Sequence, residues 1–325
     1  MNAEIFAEWL RRQGHHVFRT ESSYWYDAGP RVLQAFPYHW LIQSSEEELR
    51  KLFLHSNVIA LRYSTGIAAS RGKVSYHVVC EDSKYNLESL RRQTRQNVRR
   101  GLGHSSIERI PISRLAAEGW RLQQDTMDRQ GRAGSMSEAE WRRLCSAADG
   151  LPGVEAWGAV VEGELAASLI TVRVDDVCDV PYAQSHRKFL SKYVNNALFF
   201  SVCREMLSRP GLKSIFFNVQ SLDASESVDE FKFRMNFTAK PVRQCVAFHP
   251  VLRPFVNRLS HKVVLKMLRR YPTSYTLAKT EGMLRFHLQG KRRVHEQDWP
   301  ECTVDRRNEL LESSKFRGDR SEVAK

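Results

Sequence analysis

The sequence predicts an α/β (α+β) fold: a mixed central sheet flanked by helices, followed by a basic helical extension. Three observations carry this. Between Trp157 and Pro250 the pattern runs strand, hairpin, strand, strand, charged loop, helix, strand, polar loop, short helix, strand. A hydrophobic fraction of 42% with seven Trp and sixteen Phe in 325 residues supplies a packed core and excludes global disorder. The net charge of +13 is concentrated in a few segments rather than spread.

Residues 1–103 read as a short α/β subdomain. Glu4 to Gln13 is a short helix. Residues 16–26 and 32–43 are rich in aromatic and β-branched types and are separated by Asp27-Ala-Gly-Pro30, a turn signal. Ser45 and Glu48 stand at capping-box spacing for a helix to Leu54. Strands follow at Val58–Tyr63 and Val74–Cys80. An amphipathic helix then sets Leu87, Leu90, Thr94, Val98 and Leu102 on one face and an arginine cluster (Arg91, Arg92, Arg95, Arg99, Arg100) on the other, and Gly101 or Gly103 stops it.

Residues 104–250 form the principal domain. A strand (105–112), a helix (115–130) and a helix capped by Ser137 and Glu140 precede strands at 155–161 and 165–174, joined by the hairpin signal Glu162-Gly163-Glu164. A third strand covers Val177–Gln184. Helix Val194–Leu207 follows, with Val194, Leu198, Val202 and Met206 four residues apart. Ser214–Gln220 carries consecutive apolar residues and is predicted to be central and covered on both faces. A short helix to Met235, entered through Ser227 and Glu230, leads to a closing strand at 242–248.

Residues 251–293 are predicted to be helical and basic, with eleven Lys or Arg against the single acid Glu281. Leu252, Phe255, Val256, Leu259, Val263, Val264 and Met267 recur at helical spacing, so an apolar stripe is expected to dock on the principal domain with the cations outward. Residues 294–325 are polar and expected to be disordered. Such localized charge suits an anionic partner, or else a solvated helical face. The six cysteines show neither C-x-x-C nor metal-type spacing, so buried free thiols and no metal are expected. Glu4 and Glu8 interrupt any signal-peptide core and no stretch has the length of a membrane span, which leads to an expected cytoplasmic location.

Three stretches carry a family resemblance: Arg91-Arg-Gln-Thr-Arg-Gln-Asn-Val-Arg-Arg-Gly101, the helix from Leu122 to Gly131 with Arg129 and Gln130, and Phe231-Lys-Phe-Arg-Met-Asn-Phe237. In this order they resemble the GNAT acyltransferase fold over residues 85–250. Within it they are similar to the branch holding the Fem-type peptidyltransferases of peptidoglycan bridges. The resemblance implies a GNAT-like domain preceded by a short, degenerate GNAT-like half-domain. It also implies an N-acyltransferase moving an acyl group from acyl-CoA, acetyl-CoA first, to an amine of a sugar, peptide or cell-envelope precursor. A lipid-linked phosphorylated acceptor and peripheral contact with an anionic membrane would suit the basic segment. A Fem-type enzyme using aminoacyl-tRNA, and a non-catalytic binding module of the same fold, are the alternatives. The sequence departs from the GNAT pattern twice: Gln184 to Asn196 has no glycine where a glycine-rich pyrophosphate loop is usual, and Asn236 replaces the signature glycine.

Acyl transfer to an amine requires a grip on the donor, a polarised carbonyl and removal of a proton. Gln184, Arg187, Lys192, Asn195 and Asn196 form the expected cofactor-binding set, because a helix start with nearby cations favours phosphate. Solvated basic residues and helix caps are their ordinary roles. The candidates for proton transfer are His186, Asp179 and Asp223, with Tyr182 as an acid toward the leaving thiolate. A turn acceptor (Asp223) and a half-buried strand tyrosine (Tyr182) are the structural alternatives. By resemblance Lys232 would face the substrate and stabilise negative charge; otherwise it snorkels from an apolar face.

Overall fold

The computed structural model describes residues 3–54, 58–132, 136–223 and 229–312. Helix α1 (Ala3–Arg12) is followed by strands β1 (Val17–Arg19), β2 (Tyr24–Gly29) and β3 (Val32–Phe36), helix α2 (Glu46–Leu54), and strands β4 (Ala60–Thr65) and β5 (Lys73–Cys80). Helix α3 (Arg92–His104), strand β6 (Ser106–Ile110) and helices α4 (Ile112–Arg129) and α5 (Glu138–Ala148) come next. The chain continues through β7 (Val154–Val161), β8 (Glu164–Val174), β9 (Val177–Ser185), α6 (Val194–Ser208), β10 (Ser214–Val219), α7 (Glu230–Arg234) and β11 (Thr238–Phe248). The basic segment folds as α8 (Arg258–Arg270) and α9 (Tyr275–Gly290), and α10 (Arg307–Glu312) is last. Ser227 and residues 313–325 lie outside the described residues.

Two compact units divide the chain, each discontinuous in sequence. The first holds residues up to His15, Val78–Asn218 and Asp229–Thr238; the second holds His16–His77, Val219–Val228 and the chain from Ala239. This differs from the expected boundary at 103. Helix α3 joins the first unit, and β11 beyond Thr238 joins the second.

In the first unit the strand order is β10-β9-β8-β7-β6. Strands β6 to β9 are antiparallel neighbours, and β10 runs parallel to β9. Glu162 (φ 53°) and Gly163 (φ 82°) both adopt the left-handed region, the conformation that turns β7 into β8 without splaying them. β8 is buried almost throughout, as the middle strand of five must be. Helices α1, α4 and α5 pack together, and α3 packs on α6. Two indoles anchor the former group: Trp9 Nε1 donates to the Leu144 carbonyl at 3.0 Å and Trp141 Nε1 to that of Leu115 at 3.3 Å. On α3 the buried position is Gly101 rather than the expected Leu102, which is exposed. A Cβ at Gly101 would sit 2.5 Å from the Tyr193 carbonyl oxygen, so only glycine permits this approach to α6.

In the second unit the order is β1-β2-β3-β4-β11-β5, with β3 and β4 parallel and β4 and β11 antiparallel. One apolar cluster joins Trp25, Leu33, Leu52, Phe53 and Leu61; another joins Ala60, Leu222, Val246, Phe248, Leu284 and Phe286. Ser75, Gln220 and Gln244 form a buried polar chain: Ser75 Oγ donates to Gln220 Oε1 (2.9 Å) and Gln244 Nε2 to Ser75 Oγ (2.8 Å).

Two expectations for the carboxyl-terminal region are corrected. Residues 294–312 are ordered rather than a disordered tail, with helical turns at 294–296 and 301–312. Gln297 fastens them, its Oε1 accepting from Val74 N at 2.7 Å and its Nε2 donating to Gly72 O at 3.1 Å. The apolar stripe of the basic segment does not dock as a whole: Val256 is buried and Val264 packs on the second cluster, whereas Phe255, Leu259, Val263 and Met267 are exposed.

Candidate active site at the end of strand β9

Ladder pairing between β9 and β10 is recorded at Ser214–Val177, Ile215–Cys178 and Phe216–Asp179 and stops there. On the β8 side the register shifts between Ile170 and Val172, a bulge that bends β9 at Val180 and Pro181. Beyond Asp179 no further β9–β10 pair forms among the described residues; Pro181 brings no N–H to this stretch, and at Ser185 the N–H donates to Thr126 Oγ1 (3.0 Å) while the carbonyl accepts from Thr126 and Arg129. Strand β10 is buried at Ser214–Phe216 and half-buried beyond, so the expected burial of both faces holds only for its first half.

Gln184, in this stretch, is buried; its Oε1 accepts from Ser168 Oγ at 3.0 Å, and its Nε2 is buried with no hydrogen-bond partner among the described residues. Leaving a buried donor unmade costs about 1–3 kcal/mol.

At the carboxyl end of β9 the chain makes a 3-10 turn, Arg187–Lys192, before α6 begins. Asp125 on α4 organises this turn. Its carboxylate accepts from Arg129 Nε (2.9 Å), from the Arg187 backbone N–H (2.9 Å) and from the Arg187 guanidinium. Burial opposes its ionisation, but the hydrogen bonds from Arg129 and Arg187 outweigh burial and hold its pKa below the ordinary value. Arg129 Nη2 also donates to the Ser185 carbonyl (2.8 Å) and Oγ (3.1 Å), and Asn195 Nδ2 donates to Ser185 Oγ (3.1 Å). Arg187 thus binds an internal carboxylate. Lys192 pairs with Glu162 (3.1 Å) and Lys188 with Glu164 (2.7 Å), both at the surface. Asn195 and Asn196 are not caps: Tyr193, at φ 55°, precedes α6, and Asn196 Nδ2 reaches Met235 Sδ at 3.6 Å.

The proton-transfer candidates are not brought together. Asp179 is buried near the start of β9; His186 stands seven residues on, roughly 23 Å along an extended strand. His186 Nδ1 accepts from Lys188 N at 3.2 Å, so a neutral ring carries its proton on Nε2 and has no lone pair left for a substrate. Tyr182 packs edge-on against Trp9 (6.1 Å) and Trp141 (6.4 Å). Asp223 belongs to the second unit, where it accepts from Ser221 Oγ at 2.7 Å.

Lys232 neither snorkels nor stands open. It is buried, with Nζ 2.5 Å from Asp229 Oδ1, 3.1 Å from Asn218 Oδ1 on β10, and 4.4 Å from the Phe217 ring centroid. Burial lowers its pKa and the Asp229 charge only partly offsets this. Asn236 takes φ 67°, the left-handed conformation of the glycine it replaces.

Sequence reasoning missed Asp125 and Asp229. Asp125 had a signal: with Leu115 and Leu122 it continues the buried stripe of α4, where an acid is out of place. A cavity of about 1190 Å³ lies in the second unit, lined by Phe53, Tyr63, Cys245, Phe248, Phe286 and His287 among others, and contains none of the ten candidates.

No family model matches the sequence, and no curated protein is detectably similar. Solved structures do match. FemX superposes with a TM-score of 0.53 at 9% identity, covering 77% of this chain and 92% of FemX. The carboxyl-terminal DUF2156 domain of a putative lysylphosphatidylglycerol synthetase from Agrobacterium fabrum gives 0.50 at 14% identity, covering 74% and 87%. The mixed sheet, the parallel β9–β10 pair and these superpositions agree on a GNAT-like fold.

Proposed function

We propose that the chain is an N-acyltransferase whose acyl donor lies beside β9 past its last pair with β10 at Asp179 and before Ser185. The carrying observation is the conjunction of that stretch with the orphaned Nε2 of Gln184. An extended amide arm can add to a strand edge by main-chain hydrogen bonds, and an acceptor on it would satisfy Gln184. The arm of an acyl-CoA, acetyl-CoA first, has this chemistry, and the acceptor is an amine of a sugar, peptide or envelope precursor.

The residues fit the donor's phosphates less directly. Arg187 is committed to Asp125, whose carboxylate is nearly inaccessible. The exposed pairs of Lys188 and Lys192 are worth no more than about 1 kcal/mol each and yield readily to a phosphate. The phosphate role therefore moves from Arg187 to Lys188 and Lys192, with Arg129 and Arg187 holding the turn in place. Aminoacyl-tRNA is the second reading. The basic 251–293 segment favours it, as does the likeness to FemX and to a lysylphosphatidylglycerol synthetase domain, whereas the missing glycines in 184–196 favour a non-catalytic module of the same fold.

Thermal-shift titration with CoA, acetyl-CoA and charged tRNA tests the donor. A ligand at a hundred times its Kd stabilises by about 2.7 kcal/mol. CoA is expected to raise the melting temperature, and Gln184→Leu and Lys188→Ala/Lys192→Ala to weaken that response. No response to millimolar CoA or acetyl-CoA sinks the thioester reading, and a response to charged tRNA alone replaces it with the second.

A further inference from the structure

Exposed apolar residues run along the basic segment, from the 3-10 turn Pro250–Phe255 through α8 to its C-cap Tyr271, and form a ridge on α8 itself. Val251 (69% exposed), Phe255 (69%), Leu259 (71%), Val263 (52%), Met267 (45%) and Tyr271 (59%) recur every fourth residue. Leu259, Val263 and Met267 lie on one side of α8, whose start is fixed by a capping box between Asn257 and Ser260. The opposite side faces the second unit: Val264 packs on the cluster of Leu284 and Phe286, and His261 Nε2 meets Glu281 at 2.9 Å, packing α8 on α9. The outward ridge is therefore not the unburied remainder of one docking stripe. It is a second apolar face on a helix already seated by its first.

Charge follows the same spacing. Arg258, Lys262, Lys266 and Arg270 each precede a ridge residue by one position, and Arg253 and Arg269 add two more cations. Residues 251–270 contain no Asp or Glu. None of the α8 cations forms an ion pair with a described residue. Contiguous exposed apolar surface is uncommon on a soluble protein and marks an interaction site. Beside unpaired cations, it has the composition of a helix that lies in the plane of a bilayer, its apolar side buried roughly 5–10 Å into the headgroup boundary.

We infer that α8 and the turn before it form a docking site for an anionic phospholipid bilayer: Phe255, Leu259, Val263 and Met267 insert, and Arg258, Lys262, Lys266 and Arg270 meet the headgroups. A nucleic acid would use the cations and gain nothing from the aliphatic ridge, whereas a bilayer uses both. The inference is independent of the acyl-transfer reading, because it rests on surface residues remote in sequence from β9 and is measured without catalysis.

Flotation of the full chain with phosphatidylglycerol–phosphatidylcholine vesicles, against phosphatidylcholine alone, at low and high salt tests it. Binding is expected only to the anionic vesicles, weakening as salt screens the headgroups. Lys262→Gln/Lys266→Gln removes two interfacial charges and is expected to lower partitioning roughly 30-fold. Leu259→Gln/Val263→Gln keeps every charge and is expected to lower it by a similar factor, roughly 30-fold. Both pairs are exposed, so circular dichroism and the melting temperature should match the parent. Absence of vesicle binding at low salt overturns the inference. So does an apolar variant that binds like the parent, which would reduce the contact to charge alone. A third overturning result is binding of bulk tRNA, lost with Lys262 and Lys266, without binding of vesicles.

Discussion

Replacing Lys232 with Met removes the cation from the carboxylate of Asp229, which is itself buried. The methylene stem is largely preserved, so the loss is electrostatic. Breaking a buried ion pair from one side costs about 3–5 kcal/mol, because the remaining charge keeps its desolvation penalty. The Phe217 ring, 4.4 Å from Nζ, adds roughly 1 kcal/mol to what is lost. The pair is almost inaccessible, so solvent does not screen these terms away. Urea denaturation read by fluorescence and circular dichroism is the assay, and the transition of the first unit is the one expected to move. At about 2–4 °C per kcal/mol, a combined loss of about 4–6 kcal/mol should lower its thermal midpoint by roughly 8–24 °C. Asp229→Asn/Lys232→Met removes the stranded charge and is expected to recover at least about 2 kcal/mol, since an absent buried pair costs far less than half of one. A single variant within about 1 kcal/mol of the parent, or a double variant no better than the single, would refute the reasoning. The first result would mean that α7 is held by its phenylalanines, the second that Lys232 acts through packing.

Three further outcomes follow from individual contacts. Burial pushes the pKa of His77 down to about 3, so between that value and 6.5 the unfolded chain binds a proton that the folded chain refuses. Stability from this group is complete above pH 6.5 and falls by about 1.4 kcal/mol per unit below it; His77→Gln, which can still meet Ser64, should flatten the acid limb of the melting curve. A Cβ at Gly282 would stand 2.4 Å from the Leu222 carbonyl oxygen, so Gly282→Ala should destabilise the second unit by about 1–3 kcal/mol in urea titration. Asn236→Gly relieves a left-handed backbone and should leave stability unchanged or raise it by up to about 1 kcal/mol, whereas Asn236→Val should lower it.

The strands and helices of residues 104–250 were legible because each carries a local signal: the two positive-φ residues of the β7–β8 turn, the Ser137–Glu140 capping box, the four-residue spacing on α6. The division into units was not, because it depends on pairing across long separations. β11 leaves the principal domain to lie beside β4, and nothing in Val242–Phe248 announces that partner. The site was half legible for a similar reason. Positive charge after β9 pointed to the right loop, but a cation reads the same in sequence whether it faces a ligand or an internal carboxylate. The deciding residue, Asp125, lies 62 positions before Arg187.

The basic segment shows how far periodicity reaches. A spacing of three to four identifies an apolar face, but a segment with apolar residues at 256 and 264 and again at 255, 259, 263 and 267 offers two such faces, and the pattern does not say which one is covered. Burial decides it. Val256 and Val264 meet the cluster built by Leu222, Leu284 and Phe286, whose own positions are fixed by the close approach of Gly282 to Leu222. Once those contacts seat α8, the rotation of the helix is set. Leu259, Val263 and Met267 then turn outward together with Lys262 and Lys266, however favourable their burial would have been.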